Sequence, residues 1–410
     1  MMHRVVVTGM AGITSLGDTW AAIDAAMATG RSGVRRMPEW DAITDLQTRL
    51  GAPVDDFQVP SHYPRKMLRS MGRVSLMSVC ATERALAHAG LLGDAQISDG
   101  RMGIAYGSSG GSVEPVRVFG KMLDTGQMSG VTATSYIQMM AHTTAVNIGL
   151  FFGLKGRVIP TSSACTSGSQ GIGYAYEAIR YGKQALMIAG GAEELSSPAA
   201  AVFDTLFATS QMNDQPSLTP RSFDARRDGL VVGEGAATLV LESYEHAVAR
   251  GATILAEIIG FDCNSDGKHI TQPSADTMAT VMRRALADAD LPPSAIDYIS
   301  AHGTATEVGD IAESTAVAEV FGGSTPISSL KGHFGHTLGA CGAIEAWLGI
   351  EMMHAGRYAP TLNLDTPDPR CAALDYIMGS ARPLDVTTFM SNNFAFGGIN
   401  TSLIFKRHHA

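Results

Sequence analysis

Cys165 is the residue whose surroundings most favour nucleophilic chemistry. A strand-like segment beginning at Val158 leads to it through small residues, and an Ala/Gly-rich helical segment follows directly. Unpaired N–H groups and the positive end of the helix dipole favour a thiolate at such a position. The sequence therefore predicts a nucleophilic cysteine with a lowered pKa. The alternative is a buried, inert cysteine, which is the commoner state of a single free cysteine.

Two histidine segments in the second half of the chain supply partners for this thiol. His302 lies in Ala-His-Gly-Thr-Ala-Thr, and His336 lies in Lys-Gly-His-Phe-Gly-His, five residues after Lys331. Each segment follows a predicted strand, and strand ends are where α/β folds place reacting groups. A single such histidine would more often be structural. Two of them with a lysine predict a site that stabilises negative charge near a thiolate.

A third glycine-rich turn is predicted near the end of the chain, over Ser391–Asn400. Its consecutive small residues permit unusual backbone conformations and expose N–H groups, which suits an oxyanion hole or a gate. The alternative is a simple β-turn before a last strand at Leu403–Phe405.

An alternation of short apolar runs and longer amphipathic segments predicts an α/β fold that positions these residues. The predicted strands are Val5–Thr8, Met102–Tyr106, Gln184–Ala189, Ala237–Leu241, Ile254–Gly260, Tyr298–Ala301, Thr325–Ser328 and Leu403–Phe405. The predicted helices are Leu76–Ala89, Gly171–Tyr181, Thr277–Ala289, Ile311–Val320 and Ala343–His354.

Similar segments in the two halves of the chain indicate a duplication. Ser163-Ala164-Cys165 and Gly339-Ala340-Cys341-Gly342 each lead into a helix. The boundary is predicted near residues 250–254, which divides the chain into 1–251 with the cysteine and 252–410 with both histidines.

Composition excludes several classes of protein. The 410 residues are 45% hydrophobic and 17% charged, so the chain can bury a large core and is neither disordered nor a coiled coil. A net charge of −9 argues against nucleic acid as a partner. The five cysteines form no CxxC pair and no metal-ligand spacing, which predicts no disulfide scaffold, no metal site and a reducing compartment. Without a signal-like or membrane-spanning segment, a cytoplasmic protein is expected.

Several motifs together resemble the β-ketoacyl-[acyl carrier protein] synthases of the elongating I/II type. The resemblance covers essentially the whole chain, in the order and spacing of that family. The motifs that carry it are Ser-Ala-Cys-Thr-Ser-Gly, Ala-Gly-Gly-Ala-Glu-Glu, Arg-Asp-Gly-Leu-Val-Val-Gly-Glu-Gly-Ala, His-Gly-Thr-Ala-Thr, Gly-His-Thr-Leu-Gly-Ala and Phe-Gly-Gly-Ile-Asn.

This resemblance implies a fold, a reaction and a partner. The fold would be thiolase-like, with five layers αβαβα from two duplicated halves, usually in a homodimer, with a heterodimer also possible. The reaction would be decarboxylative Claisen condensation of malonyl-[acyl carrier protein] with an acyl group on Cys165, giving a 3-oxoacyl product. No tightly bound cofactor is implied, because the substrates arrive on the phosphopantetheine arm of acyl carrier protein.

The resemblance also implies roles for individual residues. Cys165 would be the nucleophile, His302 and His336 would promote malonyl decarboxylation, and Lys331 would stand behind them with Glu345 in support. Backbone N–H groups of Cys165 and Phe396 would form the oxyanion hole, and the Phe396 ring would act as a gate. Residues implied to bind substrate or carrier are Thr304 and Thr306 for phosphopantetheine, Gly110 for the acyl pocket, and Arg65, Lys66 and Arg69 for carrier docking.

Some positions depart from the family pattern. Gly332, Cys341 and Ile399 replace the usual serine, alanine and threonine of their motifs, and Gly110 implies a wider or differently branched acyl pocket. The segments Pro160–Gln170, Ala301–Glu307 and Asn392–Ser402 together resemble ketosynthases of aryl-polyene pigment clusters, with a housekeeping fatty-acid elongating synthase as the alternative. A thiolase and a non-catalytic chain-length-factor subunit are weaker alternatives, because two histidines and the cysteine are present. Enzymes that use nicotinamide nucleotides or ATP are disfavoured, because the dinucleotide-binding and P-loop motifs are both incomplete.

Overall fold

The computed structural model describes residues 2–408. Strands of the first half are β1 (Val5–Ile13), β2 (Arg35–Arg36), β3 (Leu50–Ala52), β4 (Met102–Gly107), β5 (Val158–Thr161), β6 (Leu186–Glu193), β7 (Val232–Gly233) and β8 (Gly235–Ser243). Strands of the second half are β9 (Ala256–Ser265), β10 (Tyr298–Ser300), β11 (Pro326–Ser328), β12 (Arg357–Tyr358), β13 (Asp375–Tyr376), β14 (Arg382–Pro383), β15 (Thr388–Ala395) and β16 (Ile399–Arg407).

Helices connect these strands in both halves. Those of the first half are α1 (Trp20–Ala28), α2 (Arg65–Leu68), α3 (Arg73–His88), α4 (Val113–Thr125), α5 (Ala133–Met139), α6 (Thr143–Phe152), α7 (Ser167–Arg180), α8 (Ser197–Asp204) and α9 (Tyr244–Ala249). Those of the second half are α10 (Ala275–Asp288), α11 (Glu307–Phe321), α12 (Lys331–Phe334) and α13 (Cys341–Ala355).

The main sheets of the two halves share one topology. The order in the first half is β5-β4-β6-β8-β1, and the order in the second is β11-β10-β15-β16-β9, with β13 added outside β11. In each half the second strand in sequence pairs in parallel with the third and fourth, whereas the fifth strand pairs antiparallel with the first and fourth. Strands β1 and β9 join the two sheets edge to edge. The repeated order confirms the predicted duplication.

Five layers result from the way the helices cover these sheets. Helices α7 and α13 pack on each other between the sheets, α3 and α6 cover the outer face of the first, and α10 and α11 cover that of the second. Strand β6 is buried along its whole length, as expected for a strand with helices on both faces. The apolar sequence of α13 is buried on nearly every side because that helix lies in the middle layer. The predicted fold class is confirmed.

Each strand and helix predicted from the sequence overlaps an observed element of the same type. The predicted division after residue 251 falls in the segment between β8 and β9. Several elements were not predicted, among them helices α1, α4, α6 and α8. Strand β15 was also missed, because residues 391–395 of the predicted glycine-rich turn belong to this buried strand, and the turn itself is confined to Phe396–Gly398. Within residues 2–408 no helix is both long and apolar enough to cross a lipid bilayer.

Candidate active site

Cys165 lies in the sharp turn between strand β5 and helix α7. Ala164 adopts a left-handed conformation with φ of 49°, which turns the backbone so that Cys165 comes immediately before the helix. Hydrogen bonds brace the turn, because Thr161 Oγ1 donates to the carbonyl of Ser167 at 2.7 Å and Ser167 Oγ donates to that of Ala164 at 2.7 Å. The result is a buried thiol, 4% exposed, at the positive end of a central helix.

The two predicted histidines meet this thiol from the second half of the chain. His336 Nε2 lies 3.0 Å from Cys165 Sγ, and the rings of His302 and His336 stand nearly perpendicular with centroids 5.1 Å apart. Backbone hydrogen bonds fix the His336 segment against the first half, with its N–H donating to Val231 at 2.6 Å. The three side chains therefore form one cluster that needs both halves of the fold.

Burial makes this cluster uncharged at neutral pH. It lowers the pKa of His302 and of His336 well below the usual range, and the nearby positive charge of Lys331 lowers both further. Burial also raises the pKa of the Cys165 thiol to about 11, although a hydrogen bond from the Phe396 N–H and the charge of Lys331 act in the opposite direction. The prediction of a lowered cysteine pKa is wrong, because desolvation outweighs the N–H groups and the helix end.

Lys331 and Glu345 form a buried ion pair behind the histidines. Lys331 Nζ lies 2.5 Å from Glu345 Oε1, and the other carboxylate oxygen accepts a hydrogen bond from Asn393 Nδ2 at 2.7 Å. Asn393 Nδ2 also lies 3.4 Å from His302 Nδ1. This contact leaves the Nε2 position of His302 as the hydrogen-bond donor for a substrate. The lysine, the glutamate and the histidine thus belong to one network.

Phe396 lies in the tight turn between β15 and β16. Gly397 and Gly398 take positive φ values of 91° and 74°, which side chains rarely adopt. A Cβ on Gly398 would also lie 2.8 Å from Asp266. The Phe396 ring packs edge-on against Phe203, with centroids 6.2 Å apart. The turn thereby holds the Phe396 N–H toward the Cys165 sulfur.

A cavity of about 350 Å³ reaches the cluster. Its lining includes Cys165, both histidines, Phe396, Thr304 and Thr306. The hydroxyls of Thr304 and Thr306 are 3.0 Å apart, so the two threonines present paired polar groups on its wall. The cavity can admit a narrow, flexible thioester chain to the cysteine.

Two buried carboxylates near the site were missed by sequence reasoning. Glu313 accepts hydrogen bonds from the N–H groups of His302 at 2.7 Å and Gly303 at 2.6 Å, and burial raises its pKa to about 8. Glu193 accepts hydrogen bonds from the N–H groups of Ser109 and Gly339, and burial raises its pKa to about 7. Two signals were available: Glu193 lies in the Ala-Gly-Gly-Ala-Glu-Glu motif, and Asp310 and Glu313 are three residues apart on the helix that follows His302.

Four predicted residues lie away from the cluster. Gly110 is exposed, does not line the cavity, and has open space where a Cβ would point. Arg65, Lys66 and Arg69 are also exposed on and just after α2, and none of them forms an ion pair with a described residue. Their roles stay predictions.

Comparisons with known proteins agree with this geometry. The family profiles for the β-ketoacyl synthase N-terminal domain and C-terminal domain match residues 2–247 and 255–365. The 3-oxoacyl-[acyl-carrier-protein] synthase 1 of Haemophilus influenzae is 36% identical over 411 residues, covering 100% of both chains. The crystal structure of a β-ketoacyl synthase from Burkholderia phymatum is 66% identical, with a TM-score of 0.99 and full coverage of both chains.

A further solved structure contains a carrier. A type II polyketide ketosynthase bound to a hexaketide, in complex with its acyl carrier protein, is 30% identical to this chain with a TM-score of 0.87, again with full coverage of both chains. The protein therefore belongs to the β-ketoacyl synthase family, of the elongating I/II type. It is an acyltransferase of the 3-oxoacyl-[acyl carrier protein] synthase class.

Proposed function

We propose that the protein extends an acyl chain held on Cys165 by decarboxylative condensation with malonyl-[acyl carrier protein]. The observation that carries this proposal is the 3.0 Å contact between His336 Nε2 and Cys165 Sγ, with the His302 ring beside it. A thiol, two imidazoles and a row of backbone N–H groups supply every group that the reaction requires. The products are 3-oxoacyl-[acyl carrier protein] and carbon dioxide.

Acyl transfer begins with a neutral thiol. His336 Nε2 is placed to accept the proton as Cys165 Sγ attacks the thioester carbonyl. The N–H groups of Cys165 and Phe396 hold the negative oxygen of the tetrahedral intermediate. The carrier thiolate leaves and takes up a proton, so the step exchanges one thioester for another.

Condensation uses the same cavity in a second half-reaction. The malonyl C–C bond to the carboxylate breaks, and its electron pair moves onto the thioester oxygen, where His302 and His336 donate hydrogen bonds. The resulting carbanion equivalent attacks the acyl carbonyl on Cys165. When the intermediate collapses, the Cys165 sulfur leaves and takes up a proton that comes from solvent. A neutral imidazole donates from one ring nitrogen only, so His336 carries its proton on Nε2 in this half-reaction, whereas in acyl transfer Nε2 is the acceptor.

The acyl group that we propose is an aryl or conjugated polyenoyl chain, as in aryl-polyene biosynthesis. Support comes from the resemblance of the segments Pro160–Gln170, Ala301–Glu307 and Asn392–Ser402 to ketosynthases of that kind. Saturated fatty acyl chains are the second candidate, because relatives at 36% identity are 3-oxoacyl-[acyl-carrier-protein] synthases. Mass spectrometry of the acyl group trapped on Cys165, from a panel of carrier thioesters without malonyl donor, tests the choice. Exclusive loading by saturated chains would contradict the aryl-polyene proposal.

The carrier protein is proposed to dock on Arg65, Lys66 and Arg69. These three exposed cations stand on a chain of net charge −9, and an acidic carrier would be attracted to such a local patch. A related ketosynthase has been solved with its carrier bound.

We also propose a homodimer joined through strand β5. This strand forms one edge of the first sheet, and its Val158 is 47% exposed. Exposed apolar side chains on an edge strand mark a surface against which a second chain can pack. A second copy is the simplest occupant, with a related subunit as the alternative. Light scattering of the purified chain tests this proposal, since a stable monomer at micromolar concentration contradicts it.

A further inference from the structure

Three atoms of the kind that bind zinc converge at the wall of the cavity. The sulfur of Cys165 and one ring nitrogen each from His302 and His336 all lie within 4.8 Å of one another. Zinc bonds of about 2.0–2.3 Å in tetrahedral geometry separate ligand atoms by roughly 3.3–3.8 Å. The distance of 3.0 Å between Cys165 Sγ and His336 Nε2 is slightly shorter than this range, and the other separations are at most 4.8 Å. Side-chain rotations that widen the first and shorten any longer separation would complete a zinc site.

The chemistry of these donors favours Zn²⁺ over the common divalent cations Mg²⁺ and Ca²⁺. Thiolate sulfur and imidazole nitrogen suit Zn²⁺, whereas Mg²⁺ and Ca²⁺ prefer oxygen ligands. Three protein ligands leave the fourth position open, and it faces the cavity because all three residues line that cavity.

A second group of donors shares His302 but is less available. Cys341, Glu345 and His302 also offer atoms within 4.8 Å of one another. The Glu345 oxygens, however, are held by Lys331 and Asn393. Cys341 does not line the cavity, and its sulfur donates to the carbonyl of Cys165 at 3.2 Å. A cation that enters through the cavity therefore meets the first group.

We propose that Cys165, His302 and His336 form a Zn²⁺ site whose occupation inhibits the enzyme. Zinc takes the Cys165 sulfur as a thiolate, so one proton is released for each metal bound. The sulfur donates charge to the metal and becomes a weaker nucleophile, and His336 Nε2 can no longer accept a proton because it is a ligand. The spacing of residues along the sequence predicted no metal site, since the three ligands come from three separate segments. The proposal rests on these donor atoms and does not depend on which acyl chain the enzyme extends.

Metal titration of the full-length protein tests the site directly. With Zn²⁺ in weakly buffered solution at pH 7, we expect one metal bound and about one proton released per chain, and at least tenfold slower alkylation of Cys165 by iodoacetamide. EDTA should restore the alkylation rate. Co²⁺ should produce a thiolate-to-metal charge-transfer band, which Cys165→Ser abolishes, and His302→Ala should weaken binding at least tenfold.

Cys341→Ser is the matched control, because it removes the sulfur of the second donor group. We expect this variant to keep both the charge-transfer band and the proton release. A band that survives in Cys165→Ser, or one that is lost in Cys341→Ser, would overturn the assignment. Unchanged alkylation of the wild-type protein at saturating Zn²⁺ would also overturn it, and that measurement requires no variant.

Discussion

Lys331 Nζ lies 2.5 Å from Glu345 Oε1 in the interior of the protein, where the two side chains are only 2% and 4% exposed. Breaking such a pair leaves one charge buried without its partner, which typically costs about 3–5 kcal/mol. We expect Lys331→Ala to lower the free energy of unfolding by an amount in that range, as measured by urea denaturation.

The exposed pair of Arg283 and Glu319 provides the comparison. Its two side chains are 48% and 47% exposed, so Arg283→Ala should change the free energy of unfolding by less than about 1 kcal/mol. Equal changes in the free energy of unfolding for the two substitutions would contradict the expectation that the buried pair stabilises the fold.

Removal of the nucleophile should separate the two half-reactions. We expect Cys165→Ala to accumulate no acyl-enzyme by mass spectrometry, because no other thiol lines the described cavity. Slow decarboxylation of malonyl-[acyl carrier protein] should persist, since His302 and His336 remain. Cys341→Ser should keep acyl loading near the wild-type level. Acyl loading of the Cys165→Ala protein would refute the assignment.

The high pKa of Cys165 predicts how its alkylation depends on pH. Because the thiol pKa is raised to about 11, the thiolate fraction should grow roughly tenfold for each pH unit between 7 and 9. Peptide-level mass spectrometry after iodoacetamide treatment measures the rate at this one cysteine. A plateau below pH 8 would instead indicate a thiolate stabilised at neutral pH.

Glu313 should make stability fall as pH rises. Its pKa is raised from 4.5 to about 8 in the folded protein, so the folded state holds a proton that the unfolded state has lost between these values. Stability from this group is complete below about pH 4.5 and declines toward pH 8, by at most roughly 1.4 kcal/mol per unit. Glu313→Gln should flatten the profile of unfolding free energy against pH. Parallel profiles for the two proteins would count against this pKa.

Charge reversal tests the carrier-docking surface. We expect Arg65→Glu combined with Lys66→Glu to raise KM for the carrier substrate at least tenfold with little change in kcat, because steering charges act on association. The matched control reverses Arg101 and Lys183, which are exposed where strands β4 and β6 begin. Cys165 lies beyond the carboxyl ends of these strands, so the control pair is at the other end of the sheet from the site. An equal rise in KM for both pairs would show only the effect of net charge.

Much of the fold could be predicted from local patterns of apolar residues and glycines in the sequence. Buried parallel strands such as β6 and central helices such as α13 read as long apolar runs bounded by glycine, so their positions could be predicted. Strand β15 was missed because its asparagines and serine resemble a loop. The two asparagines are tolerated inside the sheet because their side chains form buried hydrogen bonds, such as that from Ser402 Oγ to Asn392 Oδ1 at 2.6 Å.

The convergence of Cys165, His302 and His336 could be anticipated because each stands at a strand or helix end within a recognisable motif. The protonation state of the cluster could not be anticipated from the sequence. The pKa of Cys165 depends on desolvation, which is a property of the packed interior and has no local signature in the sequence. The same holds for Glu313, whose partners are backbone N–H groups that any residue type could supply.

The shared topology of the two halves has a consequence for biosynthesis of the enzyme. Cys165 leaves the ribosome more than a hundred residues before His302 and His336, so a first half that has folded alone carries a thiol without its proton acceptor. In an incomplete or proteolysed chain the Cys165 thiol would stay protonated, so no acyl group would be transferred to it from a carrier. Because the site is divided between the two halves, we expect a chain truncated before His302 to lack acyl transfer even though Cys165 is present.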